Sequence, residues 1–108
     1  MQLPTEIFDN VIVVHSPEEL GADQAAEFER FITGAEPRNV VLDLDNTEIL
    51  ASEGLTALLN SQDRLRERSG DIKIATTNVV NRKILEITRL DQHLEVFDSV
   101  VDAVKSFR

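Results

Sequence analysis

The sequence predicts an α/β fold: a mixed, mostly parallel sheet that opens with an antiparallel hairpin and carries about four helices. Three observations lead there. Two β-patterned runs at the start are separated by two turn-forming residues; strand and helix periodicities then alternate; and Gly21, Gly34, Pro37 and Gly70 stand at boundaries between them. Strands that alternate with helices pair in parallel through right-handed crossovers, so the predicted order is β-β-α-β-α-β-α-β-α. At 108 residues the chain is expected to form a single domain over residues 1–108, with no internal repeat or linker.

Thr5–Phe8 and Val11–His15 are strand-like, and Asp9-Asn10 between them tolerate positive φ and suit a two-residue turn. Pro17 and Gly21 break that pattern. Ala22, Ala25, Ala26, Phe28, Phe31 and Ile32 then recur at helical spacing, giving a helix that ends near Gly34. After Pro37, Val40, Leu42 and Leu44 alternate with Val41, Asp43 and Asp45, so Asn39–Leu44 reads as a strand whose carboxylates point away from its leucine face. From Gly54 to about Arg68, Leu55, Leu58, Leu59 and Leu65 share one stripe, with Ser52 as the N-cap candidate and Gly70 as the stop. "DIKIATT" is a short strand. "VVNRKILEITRL" places Val80, Ile84, Ile87 and Leu90 on one helical face, with Val79 and Val80 candidates for a partner surface but Val80 expected first in the core, and "HLEVF" is another strand. Asp98 or Ser99 can cap a last helix holding Ala103, Val104 and Phe107.

Composition removes several function classes. Hydrophobic residues make up 42% of the chain but aromatics only 5%, with no Trp or Tyr, so aliphatic side chains must fill the core and no aromatic platform exists for stacking bases. A net charge of −9 repels phosphate backbones, which bind chiefly through Lys and Arg; nucleic acid is not an expected partner. Arg64, Arg66 and Arg68 interleave with Asp63 and Glu67 near a helix end, where cations suit the macrodipole. Without Cys there are no disulfides and no thiolate nucleophiles or metal ligands. The longest plainly apolar run, Val11–Val14, is far short of the ~20 residues of a membrane helix, and the N-terminus lacks the basic and apolar regions of a secretory signal. The expectation is a cytoplasmic protein with no membrane insertion.

Asp43-Leu44-Asp45-Asn46-Thr47 fits the D-x-D-x-T string of haloacid-dehalogenase-type phosphatases, whose nucleophilic aspartate ends a strand. That chemistry also needs a phosphate-holding hydroxyl, a Lys and further carboxylates for Mg²⁺. Here 42 residues precede the motif and 61 follow it, no later Asp-Asp pair exists, and the lysines are scattered. A receiver-type phosphoacceptor fails as well, because the first strands end in Phe8 and His15 rather than in an acidic pair. His15 and His93 stand far apart with no Ser or Asp at a nucleophile–base spacing, and four glycines form no phosphate loop. No catalysis, cofactor or metal is expected.

With the elements in order, "VVLDLDNTEILASEGLTALL" resembles the strand–loop–helix core of the STAS domain, the sulfate transporter and anti-sigma-factor antagonist fold, in which a strand ending in D-L leads to a helix opening D-S-S-G-L or D-T-S-G-L. "IKIATTNVVNRKILEITRLDQHLEVFDSVVDAVKSF" is similar to the family's later strand, helix, short strand and final helix, so the resemblance runs from about Thr5 to Phe107. In antagonist members, the second Ser of D-S-S-G is phosphorylated by an anti-sigma factor that is itself a kinase. Here that segment is Ala51-Ser52-Glu53-Gly54-Leu55: Asp43-Leu44 keep the strand-end pair, Ser52 keeps the first Ser, Gly54-Leu55 keep the helix opening, Ala51 replaces the Asp, and Glu53 occupies the phosphoacceptor-equivalent position.

The resemblance implies a non-enzymatic regulatory protein that docks a protein partner, an anti-sigma factor or serine-kinase-like protein, through Ser52, Glu53, Gly54 and Leu55, with Asp43 and Asp45 either lining the groove beside them or facing solvent. Glu53 cannot take a phosphoryl group by the Ser route. It carries about −1 charge, against roughly −1.5 to −2 for phosphoserine, and is either an ordinary first-turn acid or a standing partial imitation of the phosphorylated state. The alternative role is a stand-alone STAS subunit of an ABC-type phospholipid transport complex, its partner then an ABC transporter subunit and phosphorylation not required.

Overall fold

A computed structural model describes residues 1–108. The first strands, β1 (Thr5–Phe8) and β2 (Val11–His15), form the antiparallel hairpin, with Asp9 in the left-handed region (φ 55°) at its turn. Helix α1 (Ala22–Thr33), strand β4 (Asn39–Asp43), helix α2 (Ser52–Glu67), strand β6 (Asp71–Ala75), helix α3 (Val79–Ile87), strand β7 (Val96–Phe97) and helix α4 (Val100–Lys105) complete the predicted alternation. The main sheet runs β1-β2-β4-β6-β7, and every pair except β1–β2 is parallel. The predicted fold class is therefore the observed one. Two bridges absent from the prediction, β3 (Glu19–Leu20) and β5 (Ile49–Leu50), pair in parallel beside the main sheet. A 3-10 turn, Leu90–Gln92, takes the end of the run expected to be helical up to Leu90.

This topology fixes where the core lies. Each crossover from β2 through α1 to β4, α2 to β6 and α3 to β7 advances the sheet in one direction, and right-handed crossovers that advance one way place their helices on one face. Ile12, Val14, Val40, Leu42, Ile72 and Ile74 meet α1 and α2 there, through Phe28, Ile32, Leu58 and Leu65. The opposite face carries a smaller cluster, Val11, Val13, Val41 and Ala75, covered only by α4 through Ala103. Lys73 points into that thin layer. Its ammonium lies 2.8 Å from Ser106 Oγ and 3.2 Å from the Ser106 carbonyl, with the Phe107 ring 4.3 Å away, so a cation sits at the C-terminal end of α4, where carbonyl dipoles favour it.

Two helix boundaries differ from the sequence expectation. The N-cap of α2 is Ala51 rather than Ser52, and no side chain caps it. The Ala51 amide donates to the Leu20 carbonyl at 3.0 Å, continuing the β3–β5 pairing, so the chain passes from that bridge straight into the helix and Ser52 becomes its first helical residue. At the other end, Gly70 is not the left-handed residue. Ser69 takes that role (φ 64°), with Ser69 N–H donating to Arg66 O and Gly70 N–H to Leu65 O, the paired bonds of a Schellman ending. Gly70 is required for clearance instead, since a Cβ there would lie 2.3 Å from the Arg38 carbonyl oxygen.

Gly54 answers a similar demand at the start of α2. An added Cβ would come 2.3 Å from the Leu20 carbonyl oxygen and 2.9 Å from the Leu20 side chain, so the first turn of α2 rests directly on β3. Gly54→Ala gains helix propensity of up to ~1 kcal/mol but forces that turn off β3. We expect a net loss of about 1–3 kcal/mol, the usual range for overpacking, seen as a lower urea midpoint with an unchanged slope.

Candidate partner-binding face at the carboxyl end of the sheet

Parallel strands deliver their C-terminal loops to one edge, the position where open α/β sheets bind their ligands. β2 ends there in His15, β4 in Asp43 and β6 in Ala75. The loop after β4 leads through Asp45 and Thr47 into β5 and the first turn of α2. The turn after β6, Thr76-Thr77, leads into α3.

Asn81 holds that loop. Its side-chain amide donates to the carbonyls of Leu44 at 3.0 Å and Thr47 at 2.8 Å, while the buried Thr47 hydroxyl donates to Pro17 O at 2.7 Å. The amide of Asn81 itself donates to Asn78 Oδ1, which caps α3. Asn81 was not a predicted site residue. The signal for it was a polar residue one position from the assumed apolar stripe. Because Asn81 turns inward with Leu85, the stripe expected through Val80 and Ile87 is rotated: Val80 is 64% exposed and Ile87 71%, and the expected core role of Val80 does not hold. Val79, at 80%, joins them in an apolar strip on the outside of α3, and Ile49 is half exposed on the neighbouring β5.

The predicted site residues divide into three groups. Ser52 and Glu53 are exposed on the first turn of α2, where the Ser52 hydroxyl donates to Glu53 Oε1 at 3.2 Å; Glu53 forms no ion pair and flanks a shallow trough between α1 and α2 floored by Ala22, Ala25 and Ala57. Gly54 and Leu55 are buried: Gly54 lies against Leu20, and Leu55 joins the main core, so they place the helix start rather than present a surface. Asp43 and Asp45 hold the loops. Asp43 Oδ1 accepts from the Asp45 amide at 2.9 Å, and Asp45 Oδ1 accepts from the Thr77 amide at 2.7 Å and the Thr76 hydroxyl at 3.0 Å. The other Asp43 oxygen lies 3.0 Å from His15 Nδ1, and His15 Nε2 lies 2.8 Å from Glu6 Oε1. The hydrogen bond that the ring donates to Glu6 raises the His15 pKa above its ordinary value, partial burial opposes the rise, and Asp43 adds to it by hydrogen bonding and charge. Both aspartates thus hold protein donors, Asp43 through both oxygens and Asp45 through Oδ1, and no cluster of three or more His, Asp or Glu side chains is arranged to hold a metal. No helix is long and apolar enough to cross a membrane.

Comparison with known proteins places this geometry in context. The STAS domain family matches residues 2–103. A curated Thermotoga maritima protein is 21% identical over 109 residues, covering 97% of this chain and 96% of its own; a crystal structure from that organism superposes with a TM-score of 0.84 at 20% identity, covering 96% of this chain and 92% of the other. An anti-sigma factor antagonist from Mycobacterium paratuberculosis gives a TM-score of 0.83 at 25% identity, covering 97% and 92% of the two chains. The anti-sigma factor antagonist SpoIIAA of Bacillus, at 14% identity, gives 0.79 in its unphosphorylated form, covering 99% and 96%, and 0.71 in its phosphorylated form, covering 99% and 100%.

Two outcomes follow from the geometry. Asn81→Ala strands the Thr47 carbonyl and leaves the Leu44 carbonyl with the Thr47 amide alone, and an unsatisfied buried group costs about 1–3 kcal/mol; chemical denaturation should show a loss in that range, with amide exchange accelerated between residues 44 and 48. For His15 the folded-state pKa lies above the unfolded value of ~6.5, so its stabilising contribution is fully present below that pH and is lost as pH rises through the folded value. The stability gap between wild type and His15→Gln should therefore be widest in mildly acidic buffer and narrow on the alkaline side. A gap that widens with pH would contradict the assignment.

Proposed function

Because the chain belongs to the STAS domain family, whose members are non-catalytic regulatory modules, we propose that it docks a protein partner of the anti-sigma-factor, serine-kinase class through the exposed first turn of α2 and the apolar strip of α3. The observation that carries this reading is Glu53. It projects into solvent from the helix start, with no cation neutralising it and only the Ser52 hydroxyl bonded to it, and on the sequence resemblance it takes the place of the family's phosphoacceptor. SpoIIAA, a solved relative in fold, exists in phosphorylated and unphosphorylated forms. In this chain the position carries a fixed charge of about −1, short of the roughly −1.5 to −2 of a phosphoserine, and acts as a permanent, partial copy of the modified state.

Support for the docking surface comes from its composition. Val79 and Val80 at the start of α3 and Ile49 of β5 supply exposed apolar area at the same end of the sheet as Ser52, Glu53 and Glu48, and exposed apolar patches mark interaction sites. Gly54 and Leu55 contribute by fixing the helix start from beneath.

Titration against the cognate switch kinase tests the proposal. Glu53→Arg reverses the charge that the face presents at the start of α2 and should change affinity by at least about tenfold, near 1.4 kcal/mol; an affinity indifferent to it sinks the docking mode. Wild-type protein incubated with that kinase and ATP should remain unlabelled at position 53 by intact mass and peptide mapping, whereas Glu53→Ser should acquire a phosphate there and, before labelling, bind more tightly than wild type. If only an ABC transporter ATPase is captured at this face, the role is the transport one.

A further inference from the structure

The carboxyl end of the sheet contains a charged clamp that docking through α2 does not itself require. His15 lies between two carboxylates on different strands, Glu6 of β1 at 2.8 Å from Nε2 and Asp43 of β4 at 3.0 Å from Nδ1. Only an imidazolium donates from both ring nitrogens at once. The Asp43 side chain is 13% exposed and the Glu6 side chain 57%, so one acceptor is fixed in the fold and the other can leave for water. Other charged groups around this end have partners of their own: Asp45 is bonded to Thr76 and Thr77, Lys73 of β6 to Ser106 with Glu95 3.7 Å away, and Arg82 to Asp98; Asp102 and Lys105 of α4, on the same sheet face, form no ion pair or hydrogen bond with His15.

From Asp43 the bonding continues outward. Its second oxygen fixes the Asp45 amide, and the Asp45 carboxylate fixes the Thr76 hydroxyl and the Thr77 amide, immediately before the cap of α3 and the exposed Val79-Val80 pair. Resting on the docking reading above, we propose that His15 is a positioning residue for the partner-facing loops: held as an imidazolium between Glu6 and Asp43, it orients Asp43, and through Asp45 it sets the Thr76-Thr77 turn, so that the geometry of the docking face responds to pH. Loss of the ring proton leaves a single N–H donor. One carboxylate then faces a lone pair, and the bond that survives keeps the carboxylate's charge but loses the attraction between opposite ions. Glu6 departs into solvent, and Asp43 is held with less force.

The test is a ¹H–¹⁵N NMR titration of the free chain, residues 1–108, from about pH 5.5 to 9, a window that brackets an ordinary histidine at ~6.5. The Asp45 and Thr77 amides should shift with the midpoint of the His15 ring, and that midpoint should lie above the ordinary value. Glu6→Gln should lower all three midpoints together, His15→Gln should silence both amides in this range, and His93→Gln should change neither. Flat amides while the ring titrates, or an amide transition that persists in His15→Gln, would overturn the proposal. Where His15→Gln fails to fold, the concerted shift in Glu6→Gln decides. The readout needs no partner, so it stands or falls separately from the Glu53 binding experiment: a chain that binds no switch kinase can still pass it, and one that binds can still fail.

Discussion

Everything at the candidate face depends on how closely α2 can approach the β3 bridge. Ala51 bonds to the Leu20 carbonyl, and Gly54, one turn on, has no side chain to separate the helix from that same carbonyl. The helix start is consequently fixed by backbone contact rather than by a capping side chain, and the first-turn residues that face outward are left to carry whatever the surface needs. A glycine at this place therefore serves position rather than flexibility. Its backbone is helical, and its value lies in the absent Cβ.

The order and type of the main elements were legible because each has enough residues to display its period. Through β4 and the residues after it, Val40, Leu42 and Leu44 alternate with Val41, Asp43 and Asp45, and α1 and α2 carry full stripes of apolar residues, which local pattern detects. What escaped was short or decided by tertiary contact. β3 and β5 are two residues each and display no period. Ser52 had the composition of a cap, but the cap position went to Ala51, because a carbonyl some thirty residues upstream claims its amide. The rotation of α3 was hidden for a related reason. A hydrophobicity pattern counts Asn81 as outward, whereas two loop carbonyls with no other side-chain donor draw it inward and carry Val80 out into water. At the site itself, the exposure of Glu53 followed directly from its place one residue into an amphipathic helix. The burial of Gly54 and Leu55 and the anchoring duty of the two aspartates required the loops to be seen together.

The polar residues at this end form two networks with different chemistry. Asn81 and Thr47 act through neutral donors that are buried and insensitive to solution conditions, which makes the loop after β4 a fixed feature of the fold. His15, Asp43 and Asp45 act through charge, partly open to solvent, and their bonds change strength with protonation. Rigid support and adjustable support thus meet at the same loop, the first setting where it runs and the second how firmly its tip and the Thr76-Thr77 turn are tied.

The thin side of the sheet has its own consequence. A helix of six residues cannot persist alone in water, and here it shelters a lysine whose ammonium is content in bulk solvent as well as at the Ser106 carbonyl. Detachment of this C-terminal lid would therefore hydrate a charge while exposing the Val11, Val13, Val41 and Ala75 patch with Phe97 beside it, a smaller apolar set than the core under α1 and α2. Breathing should begin there, on the side away from the α2 helix start, and reach the row of the sheet to which His15 and Asp43 belong before it reaches the main core.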